Sequence, residues 1–446
     1  MADYQETIAA IATPPGRGGI GVIRLSGPAV PAIAETLFGR LPAARTATLT
    51  RVRDAAGETL DEIVALYFEA PRSFTGEHVL ELQGHGGPVV LDMILGRVLE
   101  LGARLARPGE FTLRAYLNDK LDLAQAEAVA DLIDSGSRVA ARSAMHSLQG
   151  VFSERVEALH ETLIGLRTHI EACLDFAEEE IDFLADAALN ARLQDAVGQL
   201  DRLLAGARQG RLLREGLQVV ILGRPNAGKS SLLNYLSGHN SAIVTEIPGT
   251  TRDVLREQIE IDGLPIHIID TAGLRDSADP VEQEGIRRAW DEVSRADLVL
   301  ILIDDVQGVQ DIEQTAVQRV EAAGVAVLQV FNKVDLSSGA SGERPDGLGI
   351  SARTGIGMPA LYQRIKALAH YGGGEEGLFI ARRRHLDALQ QTGRHLQAAV
   401  PLLQQGSGEL AAEELRLAHE ALGEITGRFS ADDLLGRIFS TFCIGK

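Results

Sequence analysis

Cysteine is scarce in this chain of 446 residues, which holds two, Cys173 and Cys443. Two thiols so far apart in sequence exclude a disulfide framework and point to a reduced compartment, the cytoplasm. Long apolar runs are missing as well. The longest tight one near the middle, Leu298-Val299-Leu300-Ile301-Leu302-Ile303, is closed by Asp304-Asp305. It has the length of a strand and cannot span a bilayer, so no membrane partner is expected. The start, Met1-Ala2-Asp3-Tyr4-Gln5-Glu6, lacks the basic and apolar stretches of a secretion signal. Positive charge is in deficit: 43 Lys and Arg against 62 Asp and Glu leave a net −19. The mean field therefore repels polyanions, and any nucleic-acid contact needs a local patch or a partner protein. Arg382-Arg383-Arg384 and the scatter Arg202, Arg208, Arg211 and Arg214 are candidates; solvated helix faces are the alternative. What remains, 45% hydrophobic and 24% charged, is the composition of a globular protein. The length exceeds one ordinary core and implies about three domains.

Residues 1–118 alternate short apolar runs with Gly/Pro turns, as at 20–25 and 63–68, and read as an α+β domain. The texture changes near Leu121. Leu148, Phe152, Val156, Leu159, Leu163, Leu166, Ile170 and Leu174 recur at spacings of three and four, one apolar stripe on a long helix. Helical patterning fills 119–215, an α/β pattern fills 216–371, and helical patterning returns over 372–446 with a break at Gly406-Ser407-Gly408. Each helical block has a one-sided stripe that needs a partner. The economical arrangement packs the two on each other, with the α/β module inserted between them.

That module opens with the sharpest motif in the chain. Gly223-Arg224-Pro225-Asn226-Ala227-Gly228-Lys229-Ser230 follows an apolar strand pattern and precedes the helical Ser231-Leu232-Leu233. Strand, glycine loop and helix are the context of a phosphate-binding loop. Its glycines let backbone N–H groups, those of Ala227, Gly228 and Ser231 included, converge on phosphate, and the helix adds its positive end. Lys229 would reach the β- and γ-phosphates, and the Ser230 hydroxyl would hold Mg²⁺. Thr250 and Thr251 lie in a loop able to sense the γ-phosphate, with Thr251 as the second Mg²⁺ ligand. Two strand patterns joined by Asp262-Gly263, a hairpin turn, deliver Asp270-Thr271-Ala272-Gly273. Asp270 would hold Mg²⁺ through water, and the Gly273 amide would meet the γ-phosphate. Asn332-Lys333-Val334-Asp335 ends a further strand. A carboxylate there accepts two N–H groups of guanine, a pattern adenine cannot offer, so Asp335 argues for GTP over ATP. Ser351-Ala352-Arg353 supplies backbone contact to the guanine oxygen. These elements together resemble the translation-factor-related class of P-loop GTPases.

Leu274 follows the Asp-Thr-Ala-Gly segment, where many GTPases carry a glutamine that orients water. Something else must polarise that water. Glu282 could act through a bridging water, or it is a solvated acid. No arginine declares itself as the neutralising charge. A monovalent cation held by Asn226 could serve, though Asn is equally common there as a loop-shaping residue.

Blocks outside the module carry a further resemblance. Thr7 to Gly19, Phe74-Thr75-Gly76-Glu77, the segment 80–88, Arg107-Pro108-Gly109-Glu110-Phe111-Thr112, the segment 118–128 and the ending Phe442-Cys443-Ile444-Gly445-Lys446 resemble the MnmE (TrmE) family of tRNA-modifying GTPases. The resemblance covers essentially the whole chain. It implies a multidomain α/β and α fold: an N-terminal α+β tetrahydrofolate-binding-like domain, a discontinuous helical domain and an inserted P-loop, Ras-like G domain. It implies a homodimer through the N-terminal domains. With the flavoprotein MnmG, in a heterotetramer, such proteins place an aminomethyl or carboxymethylaminomethyl group on C5 of the wobble uridine of certain tRNAs. The one-carbon unit comes from 5-formyl- or methylene-tetrahydrofolate. GTP hydrolysis in the family is stimulated by K⁺, for which Asn226 and the backbone oxygens of Thr245, Ile247 and Thr250 match the ligands. Glu282 matches the water-positioning acid. The folate site falls on Arg24, Glu81, Lys120 and Lys446. Cys443 is either a catalytic thiol or a small tail residue. A GTP-dependent switch in ribosome or RNA assembly is the competing reading; it shares the G domain but has no use for the folate-like domain or the Cys-Ile-Gly-Lys tail.

Overall fold

The computed structural model describes residues 6–175, 187–240, 256–270, 287, 290–337, 339–372, 378–428 and 432–445. In chain order the first elements are β1 (Ile8–Ile11), β2 (Gly18–Ser26), α1 (Val30–Phe38), β3 (Thr48–Arg53), β4 (Thr59–Phe68), β5 (Val79–Gly86), α2 (Pro88–Glu100), β6 (Arg104–Leu105) and α3 (Glu110–Leu117). Helices α4 (Leu123–Ile133), α5 (Arg138–Leu148), α6 (Val151–Asp175) and α7 (Ala187–Glu215) follow. Then come β7 (Leu217–Gly223), α8 (Lys229–Asn240), β8 (Arg256–Ile261), β9 (Leu264–Asp270), β10 (Leu298–Asp304), α9 (Asp311–Ala322), β11 (Ala326–Asn332), β12 (Gly342–Arg344), β13 (Gly347–Ile350) and α10 (Met358–Leu368). Helices α11 (Arg383–Gln404), α12 (Gly408–Thr426) and α13 (Asp432–Ser440) close the chain. Two compact units emerge. The first combines 1–130, 147–197 and 388–446; the second combines 131–146 and 198–387.

The first unit holds a six-stranded sheet in the order β3-β4-β5-β2-β1-β6. It is antiparallel except where β1 runs parallel to β6. Alternation along β4 buries Ile63, Ala65 and Tyr67, and these meet Ile33 and Leu37 of α1 and Ile94 and Val98 of α2 in one core. Beside that core lies a buried ionic cluster. Arg114, 1% exposed, donates to both Glu77 oxygens and to Glu110, which Arg104 also grips at 2.6 and 2.8 Å. Burial pushes the Glu110 carboxyl up, but Arg104 and the Arg107 amide outweigh it and bring it to about 2.

The helical segment 138–175 departs from the sequence reading in one detail. The apolar stripe is carried by two helices, because Gly150 takes φ 96° between Leu148, which ends α5, and Val151, which starts α6. Periodicity continues through the break since Leu148 and Phe152 still fall on the same turn spacing. The break at 406–408 is present, between α11 and α12.

Within the unit α6 and α12 pack together, and His160 Nε2 lies 2.5 Å from His419 Nε2. Burial, then the nearby His419 and Arg428, lower His160 to about 4; burial, Arg167 and Arg428 also lower His419. An unfolded histidine takes up its proton near pH 6.5, a folded His160 only near 4. The unfolded state therefore holds the extra proton between those values, and stability falls as pH drops through that window, by about 3 kcal/mol at its end. We expect the melting temperature of the wild type to fall between about pH 6.5 and 4.5 and that of His160→Gln to fall less steeply. Parallel curves for the two proteins contradict the assignment.

The second unit is built on a seven-stranded sheet, β12-β13-β11-β10-β7-β9-β8. The strands β9, β7, β10, β11 and β13 are mutually parallel, and antiparallel β8 and β12 form the edges. β10 is buried at all positions, as a strand covered on both faces must be. Where the chain enters and leaves this module, Asp131 accepts hydrogen bonds from Arg214 and Arg382, each at 2.8 Å. Two of the arginines considered for nucleic-acid contact are thus engaged by a buried carboxylate. Among the described residues no helix is long and apolar enough to cross a membrane.

Candidate functional site

Parallel strands deliver their C-terminal ends to one edge of a sheet, where a switch in strand order opens a crevice for ligands. β7 lies between β10 and β9, and register sets Gly223 opposite Leu302 and Ile221 opposite Asp270. Neighbouring registers set Asp304 opposite Asn332, and Asn332 opposite Ile350. The phosphate loop, Asp270, the Asn332–Asp335 segment and the Ser351–Arg353 segment therefore all leave the sheet on the same side.

The loop itself is shaped as the motif requires. Asn226, exposed, has φ 64°, and Gly228 has φ 101°. A Cβ on Gly228 would stand 2.2 Å from Asn332 Nδ2, so only glycine fits. Asn332, 2% exposed, donates to the Ala227 carbonyl and accepts from the Ala352 amide, both at 2.9 Å. One side chain thus ties the phosphate loop to the Ser351–Arg353 segment. Lys229 Nζ donates to the carbonyls of Gly223, at 2.7 Å, and Arg224, at 3.1 Å, along the inside of the loop. Ser230 and Ser231 stand in the first turn of α8, where unpaired N–H groups favour an anion.

Beyond β11, Lys333 (φ 73°) pairs with Asp304 at 2.7 Å. Burial raises the Asp304 carboxyl, but the Lys333 ammonium and the Val306 amide lower it below the usual range. Asp335 is exposed, and its segment is fixed by Val334 N–H donating to Ile350 and Leu336 N–H donating to Lys333. Ser351 is fully buried, its carbonyl accepting from Gly355, while Arg353 is exposed. Thr245, Ile247, Thr250, Thr251, Thr271, Ala272, Gly273, Leu274, Glu282 and Lys446 lie outside the described residues.

In the first unit, Arg24 of β2 stands opposite Glu81 of β5 and donates twice to its Oε1, at 2.8 and 2.9 Å. Arg24 Nη1 also reaches the Gly445 carbonyl at 3.4 Å, and the rings of Phe74 and Phe111 lie 5.9 Å from the guanidinium. Distant stretches of chain, one of them the last, thus meet at Arg24. Lys120 is exposed just beyond α3. No sequence signal pointed to the Asp131 or Asp304 pairings, which are made by residues remote in the chain.

A mostly parallel sheet with this strand order, a phosphate loop after its inner strand β7 and an Asn-Lys-Val-Asp segment braced against that loop define a P-loop GTPase module. The family model described as MnmE helical domain matches residues 123–443, and that described as GTP-binding protein TrmE N-terminus matches 7–120. A protein of Aeromonas salmonicida (strain A449), named tRNA modification GTPase MnmE, is 56% identical over 452 residues, covering 99% of each chain. Among solved structures, a variant of Aquifex aeolicus Era bound to GDP.AlF4- is 25% identical, with 40% of this chain and 66% of that chain covered and a TM-score of 0.28. The G domain of the T. maritima FeoB iron transporter is 23% identical, with 34% and 98% covered and a TM-score of 0.28. The chain belongs to the MnmE family of tRNA modification GTPases.

Proposed function

We propose that this chain hydrolyses GTP and uses that reaction in the modification of tRNA. The observation that carries the reading is Asn332, which joins the Ala227 carbonyl of the phosphate loop to the Ala352 amide of the base-side loop. A nucleotide spanning the two loops then finds both ends of its site held by one buried residue. The finer reading keeps the division 1–118, 119–215, 216–371 and 372–446, with the second and fourth segments forming one helical domain.

In the G domain, the amides of Ala227 to Ser231 and the Lys229 ammonium hold the phosphates, while Asp335, Lys333 and the Ser351–Arg353 backbone hold guanine. Ser230 and Thr251, with Asp270 through water, would hold Mg²⁺; an all-oxygen set suits that ion. Asn226 and the carbonyls of Thr245, Ile247 and Thr250 would hold K⁺. Asn226 fits this role in being exposed at a left-handed turn, with its side chain outside the loop's own hydrogen bonds. When bound, the two cations neutralise charge developing on the transferred phosphoryl group. Glu282 orients water; Thr271, Ala272 and Gly273 line the γ-phosphate side.

For the first unit we propose a tetrahydrofolate derivative at Arg24, Glu81, Lys120 and Lys446. Among the described residues Glu81 Oε2 takes no hydrogen bond, which leaves an acceptor for pteridine N–H groups. The protein would act as a cytoplasmic homodimer with an MnmG-type flavoprotein on the wobble uridine at C5. The assembly-switch alternative has no use for the Arg24–Glu81 site. Nucleoside analysis of tRNA from a deletion strain tests the proposal. We expect the C5 modification to disappear, to return with the wild-type gene and not with Lys229→Ala. Unaltered nucleosides in the deletion strain would refute the tRNA role.

A further inference from the structure

Arg224 sits inside the phosphate loop, and in a GTPase with Leu274 in place of glutamine it is a ready arginine to recruit as a neutralising charge. Its surroundings assign it elsewhere. Nε donates to Glu313 Oε1 at 2.5 Å, Nη1 to Gln307 Oε1 at 3.2 Å and Nη2 to the Gly308 carbonyl at 3.4 Å. Glu313, on α9, is completely buried, and its Oε2 accepts from the Gln310 amide at 2.9 Å. A carboxylate at that depth is tolerable only when its oxygens are matched by donors, and Arg224 supplies the charged one. Pulling the guanidinium over to phosphate would strand it.

The main chain of Arg224 is also committed. Its carbonyl accepts from the Ala227 amide at 3.3 Å and from Lys229 Nζ at 3.1 Å. These bonds close a turn whose apex is Asn226, at φ 64°. The anchor on the other side of that turn is separate: Asn332 on Ala227, with Gly228 packed against it.

We infer that Arg224 is a positioning residue. Glu313 of α9 holds its side chain, and the pair fixes the Asn226 apex of the phosphate loop, the point at which an alkali cation would be bound. The inference rests on the reading of that loop as a nucleotide site. It separates two effects: the pair sets the affinity for the cation, while Gly228, Lys229 and Asn332 hold the nucleotide without it.

The test is a K⁺ titration of GTP turnover with the full chain, paired with GDP binding, for the wild type, Glu313→Gln, Arg224→Ala, and the double variant Arg224→Gln with Glu313→Gln. The double variant replaces the ion pair by two neutral amides and strands no buried charge. Losing one charge-assisted contact should raise the half-saturating K⁺ about tenfold in each variant. Turnover at saturating K⁺ and GDP affinity should stay within about threefold, since the contacts that hold nucleotide are intact. The double variant should be no worse than either single one. A fall in turnover at saturating K⁺ with an unmoved half-saturation in Arg224→Ala would make Arg224 a charge donor and overturn the inference. Wild-type behaviour of all variants would overturn it as well, while leaving the nucleotide site standing. A wild type indifferent to K⁺ would overturn the inference together with the proposed K⁺ site, while loss of GDP binding by the wild type is what would overturn the nucleotide site.

Discussion

We expect the Asp335→Asn variant to bind GTP and GDP about two to three orders of magnitude more weakly and its preference for guanine over other purines to shrink. In the proposed site the Asp335 carboxylate would accept two guanine N–H groups. A carboxamide keeps one acceptor and turns the other position into a donor that faces a donor. Charge-assisted hydrogen bonds contribute about 1.5–3 kcal/mol each, and about 1.4 kcal/mol is a tenfold change in affinity. The loss is confined to the base because the rest of the site does not lean on Asp335. Asn332 carries the bridge between the loops, and Val334 N–H fixes the segment against Ile350. Calorimetric titration with GDP, ADP and xanthosine diphosphate checks this. Unchanged GDP affinity and unchanged selectivity would remove Asp335 from the base site.

Glu282→Ala separates binding from chemistry. We expect nucleotide affinity to stay within about threefold and single-turnover hydrolysis to fall by about 10²–10³-fold, the contribution of a positioned acid–base group. The Leu274 side chain has no polar atom with which to orient water, so the loss has no compensation from the side chain that is glutamine elsewhere. Rapid-quench hydrolysis alongside fluorescent GDP binding reads the two quantities separately. Hydrolysis at the wild-type rate would show that water is oriented by another group.

The inner strands β7 and β10 of the G-domain sheet were legible because they are buried almost throughout and so appear as apolar runs. The run at 298–303 is β10, and the turn Asp262-Gly263 is the hairpin between β8 and β9. The N-terminal sheet was legible only as a count of short strands. Its order, with β2 between β5 and β1, depends on pairings across dozens of residues that leave no local trace. The long stripe through 148–174 hid the break at Gly150, because periodicity reports which face is buried and not whether the backbone is continuous.

The candidate sites divide in the same way. Asn226, Lys229, Asn332 and Asp335 announce themselves, since a loop that binds phosphate or guanine with backbone groups imposes fixed spacings on its sequence. The partners that steady them do not. Asp304 under Lys333, Glu313 under Arg224 and Asp131 between Arg214 and Arg382 are ordinary acids in sequence, and only folding places them beside their cations. Arg24 and Glu81 matched a family pattern as two separate ligands; the structure adds that they form a cross-strand pair sharing Glu81 Oε1.

The most direct measurement is steady-state GTP turnover by the purified full chain in potassium and in sodium buffer of equal ionic strength. A cation seated at Asn226 beside the transferred phosphoryl group should make turnover in potassium faster by about 10²-fold, the scale of one well-placed electrostatic stabiliser. Equal rates in the two salts would contradict the account.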